Sequence, residues 1–84
     1  MLLYSDESLV DLAAIKRSHG SSAMLMLLQS CEELAEPSAR IEAVRLGGDT
    51  EIFRLRVGDF HILFELQESR TADRIRILRV RPRR

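Results

Sequence analysis

Two runs of alternating residues meet at Gly58-Asp59, and this junction limits the architecture more than any other feature of the chain. Before it, Phe53, Leu55 and Val57 share one parity, and Arg54 and Arg56 the other. After it, Phe60, Ile62, Phe64 and Leu66 share one parity, and His61, Leu63 and Glu65 the other. Period-two patterning of this kind describes strands with one buried face. Gly58-Asp59 fits a two-residue hairpin loop, with glycine supplying the positive φ of a type II′ turn. The register then follows by counting away from the turn. Val57 is expected opposite Phe60, Arg56 opposite His61, Leu55 opposite Ile62, Arg54 opposite Leu63, and Phe53 opposite Phe64. Arg54, Arg56 and His61 thereby share the face away from the apolar core.

The rest of the chain supplies what that hairpin packs against. Met1–Tyr4 reads as a short first strand. Ser5 and Asp6 are N-cap residue types, and the segment Ser8–His19 places Leu9, Leu12, Ala13 and Lys16 on one helical stripe. Gly20 is a stop signal, and Ser21 and Ser22 are suited to cap a second helix, expected from Ala23 to Glu36 before Pro37. The stripe of that helix is Ala23, Met26, Leu27, Cys31 and Leu34. Met24, Leu25 and Leu28 lie off it. Either the first helix covers them, or they form a contact for a partner chain. Residues 38–51 have no clean period, and Gly47-Gly48-Asp49 reads as a turn. Gln67–Asp73 is a polar loop, and Arg74–Arg81 a further strand whose parity slips at Ile77-Leu78. A bulge, or burial on both faces, accounts for the slip. With Leu78 and Val80 toward the core, Arg79 and Arg81 join the Arg54/Arg56 face. The expected fold is α+β: an N-terminal strand and an αα-hairpin packed on one face of an antiparallel sheet.

Length and composition narrow the function classes. Eighty-four residues make a single domain, 1–84, because two would each fall below the usual size for a core. Cys31 is the only cysteine, which excludes an internal disulfide and multi-cysteine zinc sites. The two histidines, His19 and His61, have no carboxylates at metal-site spacing, so neither metal nor cofactor is expected. No apolar run reaches membrane-spanning length. Asp6 and Glu7 stand where a signal peptide carries lysines, so the expected location is cytoplasmic. The formal charge is zero overall, yet residues 1–51 carry a net −5 and residues 52–84 a net +5. All nine basic residues of the second part are arginines, the side chain suited to bidentate phosphate contacts. A solvated, charge-protected strand face is the alternative use of such residues.

The stretch Phe53-Arg54-Leu55-Arg56-Val57-Gly58-Asp59-Phe60 resembles the signature hairpin of the RelE/ParE toxin superfamily, and is nearest to the RelE branch. The resemblance extends over most of the chain. The helical hairpin ends at Pro37, Leu46-Gly47 precedes the signature strand, and Ile77-Leu78-Arg79-Val80 runs into Pro82-Arg83. Family members are toxins of prokaryotic toxin–antitoxin pairs. RelE-like members cleave mRNA, commonly in the ribosomal A site, whereas ParE-like members poison DNA gyrase. Both kinds are neutralised by a small antitoxin that wraps the toxin. Carried over by position, the resemblance implies that Arg54 and Arg56 are the two basic residues of the catalytic strand. It places His61 where most members have an arginine on the scissile phosphate, and matches Arg83 to the arginine of the C-terminal motif. Most members continue to a tyrosine that assists the chemistry, but the only tyrosine here is Tyr4.

RNA cleavage without a metal uses the 2′-hydroxyl as nucleophile. It needs a base for that proton, an acid for the leaving 5′-oxygen, and cations for the charge that builds on the phosphate. Arg54, Arg56 and Arg83 are the candidate cations at the reaction, with Arg79, Arg81 and Arg84 extending the nucleic-acid surface. Guanidinium does not titrate usefully, so His61 is the candidate base, with Arg56 across the strand disfavouring imidazolium and Glu65 opposing that effect. Glu51 is a second candidate. An exposed polar filler is the alternative for His61. His19, at a helix C-terminus, suits the helix dipole and needs no further role. Three functions follow as expectations: an mRNA endoribonuclease acting at the ribosome, a toxin-fold module that binds an antitoxin without catalysis, and a gyrase inhibitor. An acidic antitoxin segment suits the arginine face, and an apolar one suits Met24, Leu25 and Leu28.

Overall fold

A computed structural model describes residues 1–48 and 50–83. Asp49 of the expected Gly47-Gly48-Asp49 turn, and Arg84 of the expected nucleic-acid surface, lie outside the described residues. The elements are β1 (Leu2–Tyr4), α1 (Asp6–His19), α2 (Ser21–Glu33), a 3-10 turn (Pro37–Arg40), β2 (Val44–Arg45), β3 (Ile52–Val57), β4 (Phe60–Gln67) and β5 (Arg74–Pro82). The strands form one sheet in the order β1-β5-β4-β3-β2. Strands β2 to β5 pair antiparallel, and β1 pairs parallel to β5, so the sheet is mixed rather than purely antiparallel. The parallel pair arises because the whole helical hairpin and three further strands separate β1 from β5.

The β3–β4 hairpin has the register counted from its turn, from Val57 opposite Phe60 to Phe53 opposite Phe64. Gly58 has φ 58°, and among the described residues only glycines have positive φ, in keeping with a type II′ turn. The parity slip in β5 is a bulge. Leu63 pairs with Arg79 and Phe64 with Ile77, which leaves Leu78 unpaired and lets Ile75, Ile77 and Val80 all turn inward.

The helices cover one face of the sheet. Leu12 and Ile15 of α1, and Leu27, Cys31 and Leu34 at α2 and its end, close over Phe60, Ile62, Phe64, Leu66, Ile75, Ile77 and Val80. Each large apolar side chain so enclosed contributes about 1.5–3 kcal/mol relative to exposure. Burial pushes the thiol of Cys31 and the hydroxyl of Tyr4 up to about 12 each, so the thiol is an inert core group.

The helices depart from the expected pattern in four ways, the first being Met26, expected on the buried stripe of α2 but 42% exposed. Second, in α1 the buried stripe is Ser8, Leu12 and Ile15, while Leu9 is 51% exposed. Ser8 can be buried because its hydroxyl donates to the Ser5 carbonyl oxygen (2.8 Å) and its N–H donates to the Ser5 hydroxyl (3.0 Å). Third, α2 starts at Ser21 without a side-chain cap, because Gly20 (φ 97°) both ends α1 and opens α2. Fourth, α2 stops at Glu33. Arg40 donates to the Leu34 and Ala35 carbonyls (2.7 and 3.0 Å) and bonds Asp73 (2.8 Å), which satisfies the orphan acceptors there. No helix among the described residues is long and apolar enough to cross a membrane.

Candidate functional site

The site is the open face of the sheet, opposite the helices. Arg54 and Arg56 alternate outward from β3 because Phe53, Leu55 and Val57 turn toward the core. His61 lies directly across from Arg56 on one side and Arg81 on the other. The three strands therefore bring an imidazole between two guanidinium-bearing positions. Leu63 stands in the next row, between Arg54 and Arg79.

Two adjoining cavities open on this face. One, of about 410 Å³, is lined by Glu42, Val44, Arg54, Arg56, His61 and Arg83. The other, of about 350 Å³, is lined by Leu46, Arg54, His61, Leu63, Arg81 and Pro82. Arg54 and His61 belong to both. The sequence-expected Arg54, Arg56, His61, Arg81 and Arg83 are thus brought together. Desolvation at the sheet surface, reinforced by the positive charge of Arg54, Arg83 and Arg56, holds the His61 imidazole below its ordinary pKa. A neutral imidazole flanked by permanent cations can accept a proton while the cations hold an anion.

Arg79 is placed differently. Its guanidinium forms a two-pronged contact with the Asp11 carboxylate of α1 (2.8 and 3.1 Å). One Asp11 oxygen also accepts the Val80 N–H (3.0 Å). Beyond the end of β1 that amide faces an otherwise bare strand edge, and Asp11 caps it. Burial pulls the Asp11 carboxyl up, and the Arg79 and Val80 bonds outweigh it, leaving Asp11 below its usual value. The charge of Arg79 is therefore met within the chain.

Three cavity residues escaped sequence reasoning: Glu42, Val44 and Leu46. They come from the stretch without a readable period, where a two-residue strand brings Val44 opposite Arg54. Glu42 adds a carboxylate beside His61 and the arginines. Glu51 lines neither cavity, and its carbonyl oxygen pairs with the Leu66 N–H at the far end of the hairpin. Arg45 belongs to the opposite face, where its guanidinium lies 5.3 Å from the Phe53 ring centre.

The apolar trio on α2 is divided. Met24 and Leu28 pack partly against the core, whereas Leu25 is 58% exposed next to Met26. The exposed apolar surface of α2 is thus Leu25 and Met26.

No family model matches the chain, and no curated protein is similar to it. Solved structures are. A chain of the toxin–antitoxin complex RelBE2 from Mycobacterium tuberculosis superposes with a TM-score of 0.76 at 14% identity, covering 98% of this chain and 95% of that one. The fold is that of the RelE/ParE toxins. The YoeB/ParE toxin from Agrobacterium tumefaciens is similar at TM-score 0.65 and 15% identity, covering 96% of both chains. A chain of the RelB–RelE antitoxin–toxin complex from Methanococcus jannaschii is similar at TM-score 0.61 and 21% identity, covering 96% of this chain and 89% of that one. The RelE/ParE fold explains why the arginine face is left uncovered: both helices are committed to the opposite side of the sheet.

Proposed function

We propose that this chain is the toxin of a toxin–antitoxin pair and cleaves mRNA at the ribosome, in the cytoplasm of a prokaryote, through a metal-independent transesterification. The observation that carries the reading is His61, neutral by virtue of its surroundings, set among Arg54, Arg56, Arg81 and Arg83 on an open face. His61 takes the proton of a 2′-hydroxyl as that oxygen attacks the neighbouring phosphorus. Arg54, Arg56 and Arg83 meet the charge that builds on the non-bridging oxygens. The proton taken up by His61 is then returned to the 5′-oxygen as it leaves. Arg81 holds the adjoining phosphate. An antitoxin with an acidic segment fits the same arginines, and its binding shifts a small domain toward its folded state.

Induced expression tests the reading. Growth arrest accompanied by mRNA cut near the ribosomal A site, and abolished in Arg54→Ala/Arg56→Ala, is the expected result. Arrest with intact mRNA and inhibited supercoiling contradicts it and favours action on gyrase. Normal growth with folded protein that still binds an antitoxin leaves a binding module without catalysis.

A further inference from the structure

A third cavity, larger than either of those on the arginine face, lies beside them. It measures about 680 Å³ and is lined by His19, Asp59, Pro82 and Arg83. That size falls in the range of roughly 300–1,000 Å³ typical of small-ligand sites. It lies where the C-terminal end of α1 meets the β3–β4 turn and the end of β5. It shares Arg83 with one of the two cavities that hold His61 and Pro82 with the other, so the three are neighbours.

Each wall is held in place. The Arg83 N–H donates to the Asp59 carbonyl oxygen (2.8 Å), which ties the end of β5 to the turn. The His19 ring packs nearly perpendicular to Phe60, with centroids 5.1 Å apart. The Ser18 hydroxyl lies within hydrogen-bond distance of the Ala14 carbonyl oxygen (3.0 Å) and of His19 Nδ1 (2.7 Å), which holds the ring from its other side.

The cavity therefore brings together a carboxylate, an imidazole and a fixed cation, from Asp59, His19 and Arg83. A simple anion is a poor match, because the Asp59 carboxylate repels it. A nucleotide matches all three groups: its base presents N–H donors to Asp59 and a flat face to the imidazole, and its phosphate meets Arg83. We infer that this cavity is a second nucleotide subsite, holding the base next along a bound RNA strand, a step that rests on the RNA-cleavage reading. The strand then turns at Arg83, from the arginine face round the edge of the sheet.

The chain has two histidines, His19 in this cavity and His61 on the arginine face, and their imidazole proton resonances report the two places separately. The experiment is a titration at fixed neutral pH with a 2′-O-methyl trinucleotide, which cannot be cleaved, and with ribose 5-phosphate as the base-free control. The expected result is that the trinucleotide shifts both His19 and His61, while ribose 5-phosphate leaves His19 unmoved. His19→Ala and Asp59→Asn should each weaken trinucleotide binding by about tenfold, the scale of one base stack removed. Both side chains are exposed, so the folded state is retained, as amide spectra of each variant will verify. A trinucleotide that shifts His61 but not His19 overturns the subsite and leaves the RNA reading standing. A trinucleotide that shifts neither overturns both.

Discussion

His61 shows how one residue acquires a chemical character from its neighbours. Alone, an imidazole is divided between its two forms near neutrality. Here desolvation and the charges of Arg54, Arg83 and Arg56 favour the neutral form. Removing one of those charges should move the titration in a known direction. In Arg54→Ala, the His61 midpoint read by proton resonance should rise toward the ordinary histidine value, and an unchanged or lower midpoint would contradict the electrostatic account. Much of this is legible in the sequence, because the two-residue turn sets the hairpin register and so the Arg56–His61 pair. Glu42 is not legible. It precedes a strand of two residues, too short to show a period, and reaches the cavity only through tertiary pairing.

At the scale of elements, the hairpin and the β5 edge hold the face in shape. Gly58 turns the chain at φ 58°, and no atom would touch an added Cβ there, so the cost of Gly58→Ala is conformational alone. It should lower stability by about 1–2 kcal/mol, measured as a shift in denaturant midpoint. The Asp11 cap gives β5 a pH dependence. Because its carboxyl lies below the usual value when folded, the folded state binds fewer protons than the unfolded state. That stability is complete above the unfolded carboxylate value and disappears as pH falls through the folded one. Asp11→Asn should remove this part of the acid limb of the stability curve, and an unchanged acid limb would show that the cap is not what titrates. The parity slip in the sequence already marks the place of the bulge, with burial on both faces as its other reading. The buried stripe of α1 has no such signal, because a serine at position 8 carries no hydropathy mark and its burial depends on the Ser5 cap.

Over the whole molecule, a chain of zero net charge is strongly polarised. The acidic half builds the helices and the basic half most of the sheet. Sequence arithmetic reveals the separation, while the fold decides which arginines face outward. RNA affinity should therefore fall with salt, with a slope of about 0.7 for each phosphate that an arginine neutralises. Arg56→Ala should reduce the slope by that amount. The charge-neutral Asp11→Asn/Arg79→Gln should leave it unaltered, because Asp11 already meets the charge of Arg79. Equal effects from both variants would mean that Arg79 leaves Asp11 to bind RNA.

The central claim is that His61 acts as base on this face. The direct measurement is the single-turnover rate of cleavage of ribosome-bound mRNA across pH, for wild type and His61→Ala, with RNA binding followed in parallel. The account predicts a wild-type rate that rises with pH and levels off below the ordinary histidine midpoint. It predicts a drop of about a hundredfold or more in His61→Ala while RNA binding persists. Cleavage by His61→Ala at the wild-type rate, with the same pH profile, would contradict it.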